Sequence, residues 1–518
     1  MFRKKHKKQT FVLNTLIEDN KEPKVTSGKI FSSSKSDFIE AIKHKTHSPS
    51  DLIVKTISPT ITVVYVDNIV DNQSLNKLII HSLNQINNES PEIIKDILSI
   101  AEVDITVDID KSVLAMLNGN VLIHVEGYSR IVVAKISSYE ARSLTTPENE
   151  SQVIGSQVGF NEDISTSISL VRKYILNPDL CIEKFTLGAQ TNTTLSLLYI
   201  KNIAAEEKVN TLRQRIESIN IDALLDSAVL AELIDDNSLT IFPQMLLTER
   251  PDRFCDGLLN GKLGIIVNGS SMAILCPYAF VEFFQSREDQ NLRWFLATFI
   301  RILRFSAVFL SVYLTPIYVA SLTFHYEVIP QPLLVPLSES RALVPFPPIL
   351  EALILEFFIE LLREAGARLP TKVGQTIGIV GGIVIGTAAV QAGITSNILI
   401  IIIALSALAS FTTPSYMMGN VIRVLRFPII IIAGIWGYYG IMLAFCLILV
   451  HLLRQSSLGS PYSAPFYPPR MIDWRDSIAR LPMPLISNRP KDTRTKNQDK
   501  FKTEPVKPEK LDKLKVNE

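Results

Sequence analysis

The sequence offers little to catalysis or to metal binding. Its 518 residues include four cysteines, Cys181, Cys255, Cys276 and Cys446, and no CxxC pair. That argues against a disulfide framework or a thiolate zinc site and points to buried thiols in a reducing compartment. The seven histidines are scattered, and no Cys/His cluster has ligand spacing. There is no HExxH, no GxSxG and no dinucleotide fingerprint. Gly257-Leu-Leu-Asn-Gly261-Lys262 comes nearest to a phosphate loop. Its glycines stand one residue too close, and Leu263 occupies the place where Ser or Thr must meet magnesium. Charge of one sign is missing too: 52 Lys and Arg against 51 Asp and Glu leave a net charge of +1. Without a basic, aromatic-laced patch, nucleic acid is not expected as a partner. The chain reads as a non-enzyme with no catalytic residues, no cofactor and no metal site.

Apolar runs, by contrast, are abundant and confined to one region. Residues 1–300 read as soluble, 305–453 as mostly apolar, and 454–518 as polar and basic. Phe305 to Phe324 is twenty residues without a charge, long enough to cross a bilayer, and Arg301 and Arg304 before it favour a cytoplasmic start. Val373 to Ala392, Ile394 to Phe411 and Pro428 to Val450 are three more such runs. A fifth segment, Pro348 to Leu362, is apolar but carries Glu351, Glu356 and Glu360. On a helix, Glu356, Glu360, Arg363 and Glu364 share one face. That helix either lies in the membrane surface, with Glu360 paired to Arg363, or crosses within a bundle with its acidic face on a cavity or pore. The tail from Arg454 holds 14 Lys and Arg against 8 Asp and Glu, so an even count of four spans, with both ends cytoplasmic, suits the positive-inside rule better than five. Four spans, however, put Arg423 and Arg426 on the wrong side. Gly374, Gly378, Gly382 and Gly386 recur every fourth residue and predict a helix-packing face.

Ahead of the membrane region, 291–455, strands and helices mix, which predicts an α/β (α+β) soluble region. The pattern runs twice. Strands are expected at 60–67, 120–126 and 130–136, with helices at 74–87, 91–100 and near 111–118. The second half predicts helices at 162–176, 206–218 and 227–236, a hairpin over 181–200, and strands at 264–267 and 272–275. The two halves end alike. Residues 117–127 read Leu-Asn-Gly-Asn-Val-Leu-Ile-His-Val-Glu-Gly, and 259–269 read Leu-Asn-Gly-Lys-Leu-Gly-Ile-Ile-Val-Asn-Gly. Two related soluble subdomains follow, 31–145 and 146–290. Residues 1–30 form a basic start whose apolar stretch, Phe11 to Ile17, is too short and too polar for a cleaved signal, so the soluble region is placed in the cytoplasm. The tail, 456–518, is expected to be largely disordered.

Several stretches also resemble a known family. Glu148-Asn-Glu-Ser-Gln-Val-Ile-Gly-Ser-Gln-Val-Gly-Phe-Asn-Glu-Asp163, continuing to Leu170-Val-Arg172, resembles the opening of the common core of the GerA family, the A subunits of bacterial spore germinant receptors. Pro277-Tyr-Ala-Phe-Val-Glu-Phe-Phe-Gln-Ser-Arg-Glu-Asp289 is similar to that family's junction before the membrane. Arg363-Glu-Ala-Gly-Ala-Arg-Leu-Pro370, Gly374-Gln-Thr-Ile-Gly-Ile-Val-Gly-Gly382, Phe411-Thr-Thr-Pro-Ser-Tyr416 and Ser460-Pro-Tyr-Ser-Ala-Pro465 match it too. Lys173-Tyr174 and Ser165-Thr-Ser167 depart from it. The resemblance, over about residues 60 to 466, implies a non-enzymatic subunit in the spore inner membrane that senses amino acids, sugars or nucleosides. It implies a transporter-like B subunit and a lipoprotein C subunit as partners, and a homo-oligomeric ring with a membrane pore. In such a ring Glu351, Glu356 and Glu360 become candidate pore-lining or ion-contacting residues. A secondary transporter acting alone is the alternative. It is disfavoured by the few spans and by the lack of a repeat within the membrane half. No residue announces itself as germinant-binding.

Overall fold

In the computed structural model the described residues are 33–501, apart from 86–89, 99, 101, 137–145, 370–381 and 383–385. The first subdomain opens with α1 (Lys35–Thr46), β1 (Leu52–Thr56) and β2 (Ile61–Val66). An irregular helical run from Asn72 to Leu83, with a π-helical middle, and α2 (Pro91–Ile97) follow. Then come β3 (Val103–Thr106), α3 (Ile109–Leu117), β4 (Asn120–Val125) and β5 (Ile131–Lys135). Asp108 caps α3 by accepting from the amides of Asp110 and Lys111. The sheet is antiparallel, in the order β1-β2-β4-β5-β3. Every residue of β2 is buried because both faces are covered. Phe38, Ile42, Val113 and Met116 pack under Val64 and Leu122, while Leu75, Ile79 and Ile94 pack over Val63, Ile123 and Val132.

The second subdomain repeats this plan element for element. It runs α4 (Ile164–Tyr174), β6 (Leu180–Leu187), β7 (Thr193–Ile200), α5 (Glu206–Ser218), α6 (Ser227–Ile234), β8 (Leu246–Thr248), α7 (Pro251–Leu259), β9 (Leu263–Val267) and β10 (Ala273–Cys276). Its sheet order, β6-β7-β9-β10-β8, is the first sheet's order shifted by five. The matching eleven-residue stretches fall on the same helix–turn–strand–turn. Gly119 and Gly261 (φ 86° and 84°) follow the helices, and Gly127 and Gly269 (φ 91° and 86°) follow the strands. A buried ion pair joins the two subdomains: the Arg172 Nε and Nη2 atoms donate to Asp51 at 3.1 and 3.0 Å. The Ser50 amide donates to the Ile182 carbonyl beside it.

The helical region comprises α8 (Trp294–Thr323), α9 (Gln331–Arg341), α10 (Pro348–Arg368), α11 (Asn397–Ser410) and α12 (Tyr416–Arg454). Only α8 and α12, among the described residues, are both long and apolar enough to cross a bilayer. The predicted run Val373 to Ala392 lies largely outside the described residues, as do Gly374 and Gly378.

The run Pro428 to Val450, expected as one span, is not one straight helix. The 39 residues of α12 would stretch roughly 58 Å if continuous, almost twice a hydrocarbon core. The chain instead folds back at Gly437, whose φ of 61° and ψ of −141° no side chain tolerates well. A Cβ on Gly440 would stand 2.6 Å from the carbonyl oxygen of Ile432, eight residues earlier. The contacts with α8 give the directions of the two arms. Arg426 meets Ser311 and Tyr438 meets Ser321, so 416–436 runs parallel to α8. Phe445 then meets Tyr313, so 438–454 returns antiparallel. Residues Arg423 and Arg426 thereby sit on an arm that starts near the soluble domain, and the expected misplacement of these cations disappears.

The tail is also ordered where disorder was expected. Residues 455–501 fold back onto the second subdomain as a strap with a short hairpin, β11 (Ser456–Ser457) and β12 (Ser460–Pro461). Tyr462 is fully buried, its hydroxyl donating to the Pro243 carbonyl at 2.7 Å. Lys208 donates to Ser460 Oγ and to the Asp492 carbonyl, and burial pulls its ammonium down to about 8. Net basic composition hid these specific anchors. Residues 1–32 and 502–518 lie outside the described residues.

Candidate functional site

Four helices converge on a polar knot inside otherwise apolar surroundings. Ser311 and Thr315 project from one face of α8 at a four-residue spacing, Glu356 from α10, Ser406 from α11 and Arg426 from α12. Glu356 and Arg426 are 0 % and 1 % exposed. The Arg426 Nη1 donates to Glu356 Oε2 at 2.6 Å, and Thr315 Oγ1 donates to Glu356 Oε1 at 2.9 Å. The Arg426 Nη2 donates to Ser311 Oγ at 2.9 Å, and Ser406 Oγ donates to the Ser311 carbonyl at 2.9 Å. A charge in apolar surroundings must meet a counter-charge and hydrogen-bond partners, and here each helix supplies one.

A second carboxylate braces the start of two helices. Glu351, 1 % exposed, sits in the first turn of α10. Its Oε1 accepts from the Ser396 amide at 2.6 Å and from Thr395 Oγ1 at 3.0 Å, and Arg341 stands 3.6 Å from its Oε2. Ser396 caps α11, so Glu351 also faces the positive end of that helix. Ser396 Oγ in turn pairs with the Tyr318 hydroxyl of α8.

Glu360, two-tenths exposed, pairs with Arg363 one turn on, as the spacing predicted, and Glu364 pairs with Arg368. Glu356 does not share a solvent face with these groups. It turns inward to Arg426, so α10 is packed into the helices rather than laid on a surface. Of the three acidic candidates, two are held within the chain and one lies near its outside. Sequence reading missed their partners. The available signal was a set of Ser, Thr and Arg residues inside or beside apolar runs.

The described members of the glycine stripe are Gly382 and Gly386, and among the described residues nothing stands within 4 Å of a Cβ added at either.

The helices are clamped to the soluble region at both ends. Arg301 and Arg304, read from sequence as cations that favour a cytoplasmic start for the first span, are 1 % and 9 % exposed. Both donate to Asp289, and Arg301 also reaches the carbonyl and carboxylate of Asp476 in the strap. Burial raises the Asp476 carboxyl above its usual range, opposed by Arg301. At the other end α12 runs directly into the strap. A cleft of about 140 Å³ lies between strap and subdomain. On its floor Lys262 pairs with Glu282 at 2.5 Å and lies 3.9 Å from the centre of the Tyr278 ring. The near-phosphate-loop sequence thus ends in a buried structural pair. Among the described residues no group of three or more His, Cys, Asp or Glu is placed to hold a metal.

Comparison with known proteins gives these features a context. Residues 40–492 match the family described as Bacillus/Clostridium GerA spore germination protein. Spore germination protein GerQA of Bacillus cereus is 43 % identical over 461 residues, 89 % of this chain and 92 % of that protein. Spore germination protein KA of Bacillus subtilis (strain 168) is 39 % identical over 463 residues, 87 % of this chain and 85 % of that protein. A crystal structure of the N-terminal domain of the A subunit of a Bacillus megaterium spore germinant receptor aligns over 49 % of this chain and 98 % of its own length, with 26 % identity and a TM-score of 0.39. The family match spans both soluble subdomains, the helical region and most of the strap, and the chain belongs to the GerA spore germination protein family.

Proposed function

We propose that this chain is a membrane subunit of a spore germinant receptor in the spore inner membrane. It helps trigger germination in response to small nutrients such as amino acids, sugars or nucleosides. It works beside a B subunit and a C subunit, and its soluble region faces the cytoplasmic side. The observation that carries a signalling role is the double clamp. Helix α8 leaves the second subdomain through Arg301, Arg304, Asp289 and Asp476, and α12 returns to it through the strap. A shift in that subdomain therefore pulls on both ends of the helical region at once. The same clamp favours an even number of crossings, which disfavours five.

Assembly of several copies into a ring, with α10 near the axis, would supply an ion path. Glu356 and Glu351 would then act as braces, and Glu360 would be the carboxylate nearest the path. Deleting the chain in the spore-former and testing germination against a panel of amino acids, sugars and nucleosides tests the receptor reading. Loss of response to at least one class is expected, and an unchanged response to every nutrient overturns it. Early potassium efflux from Glu360→Gln spores tests the ion path. A changed rate at normal subunit level is expected, and unaltered efflux removes Glu360 from that role.

A further inference from the structure

Two large apolar side chains stand uncovered on the second subdomain, beside the end of α12. Leu239 is 93 % exposed and Ile241 is 51 % exposed. Between them, Thr240 Oγ1 pairs with the His451 ring nitrogen Nε2 at 2.8 Å. Phe242 packs on the same imidazole with ring centroids 5.8 Å apart. His451 directly follows the apolar run that ends at Val450. These contacts fix the loop at the level where the apolar outer surface of α12 begins, a surface that continues in exposed Leu447 and Val450.

Charge is kept away from the loop tip. Residues 237–243 carry none. The neighbouring Asp236 is turned inward, where Arg215, Ser456 and the Gly459 amide hold its carboxylate. At the other clamp, α8 begins with exposed Trp294, Phe295 and Phe299, while Arg301 and Arg304 further along it are buried against the second subdomain and the strap. Aromatic and aliphatic groups placed at this level suit the boundary between headgroups and acyl chains. Uncovered apolar surface continuous with a membrane-crossing helix is what a lipid contact would leave.

We infer that the loop 239–241 inserts into the bilayer surface and seats the second subdomain on the lipid, a third point of support beside α8 and α12. The inference rests on reading α12 as membrane-crossing, and the test separates the two. The full chain is reconstituted in phosphatidylcholine–phosphatidylglycerol vesicles with or without shallow nitroxide-labelled lipid. A bimane label is placed at native Cys446, which is exposed on α12, or at Leu239→Cys or Tyr128→Cys in a Cys446→Ser chain. The three remaining cysteines are buried.

The label at position 239 should lose emission to the nitroxide lipid, as Cys446 does, while the label at position 128 in the first subdomain keeps its emission. Quenching at 239 by dissolved iodide but not by nitroxide lipid overturns the insertion. Shielding from both quenchers overturns it in favour of a protein neighbour, such as a second copy of this chain. Failure of nitroxide lipid to quench Cys446 overturns the membrane-crossing reading of α12, and the insertion with it.

Discussion

Replacing Arg426 by Leu isolates the contribution of the polar knot. Glu356 is fully buried and has two described donors, Arg426 at 2.6 Å and Thr315 at 2.9 Å. Without Arg426 the carboxylate keeps one hydroxyl bond and no counter-charge. Breaking a buried pair in this way costs about 3–5 kcal/mol. Glu356→Gln leaves the buried Arg426 without its counter-charge and falls in the same range, about 3–5 kcal/mol. Glu360→Gln removes a partly exposed pair within one helix and should cost at most about 1 kcal/mol. In the double variant Glu356→Gln, Arg426→Leu no buried charge remains at the knot. It should therefore be more stable than Arg426→Leu alone, with a coupling of about 0.5–3 kcal/mol. Thermal unfolding of the purified full chain in detergent, followed by helical circular dichroism, reads the order directly. If Arg426→Leu melts no earlier than Glu360→Gln, or if the double variant is no more stable than Arg426→Leu, the knot does not hold the four helices together.

Asp51→Asn should loosen the joint between the soluble subdomains by about 3–5 kcal/mol, because it leaves the buried Arg172 without its counter-charge. Hydrogen exchange at Ser50, whose amide bridges to Ile182, should rise well above that in the strand centres. Burial, with Asp236 and Glu232 nearby, pushes the Asp235 carboxyl up to about 7, above its unfolded value of 3.8. The folded state holds that proton more tightly, so stability is lost as pH rises from about 4 to about 7. Asp235→Asn should accordingly raise the melting temperature more at pH 8 than at pH 4, and an equal gain at both would show that ionisation is not the cause. Gly382→Leu should leave the melting of the single chain unchanged, since among the described residues nothing stands within 4 Å of a Cβ there, yet weaken self-association on a native gel. Gly437→Ala should lower the melting temperature, because its conformation is left-handed and a Cβ there meets His325 at 2.8 Å.

The soluble region was legible because its signals are local. Asp108 and Asp163 cap helices within three residues, and strands such as 61–66 and 120–125 are short apolar runs between turns. The eleven-residue echo at Leu117 and Leu259 sufficed to show duplication, since both copies need the same turn from helix into strand. The short strands Val103–Thr106 and Leu246–Thr248 escaped notice because their pairing partners are distant in sequence, and Leu52–Thr56, though it forms a hairpin with the next strand, because it is an edge strand with no fully buried residue to mark it. The fold-back at Gly437 was hidden by composition, as a turn between two apolar arms carries no polar marker. The candidate site was half legible. Acidic residues in an apolar segment stood out, but helical spacing put Glu356 beside Glu360. Its actual partner lies 70 residues away, and no periodicity records such a distance. The strap was misjudged for a related reason. A basic, proline-containing tail reads as solvated until the hydroxyl of Tyr462 is seen to find Pro243, 219 residues earlier.

That strap also imposes an order in time. A chain made from its N-terminus completes the second sheet at Cys276, but the buried tyrosine and the acceptors for Lys208 arrive only at Ser460, Tyr462 and Asp492. Until then Lys208 lacks its bonds and the groove around Pro243 stands open. Everything from Trp294 to Arg454 must be made, and must turn back at Gly437, before the strap can close it. A chain stalled anywhere in the helices displays an unfinished soluble subdomain, which a protease can reach and a correctly returned chain conceals.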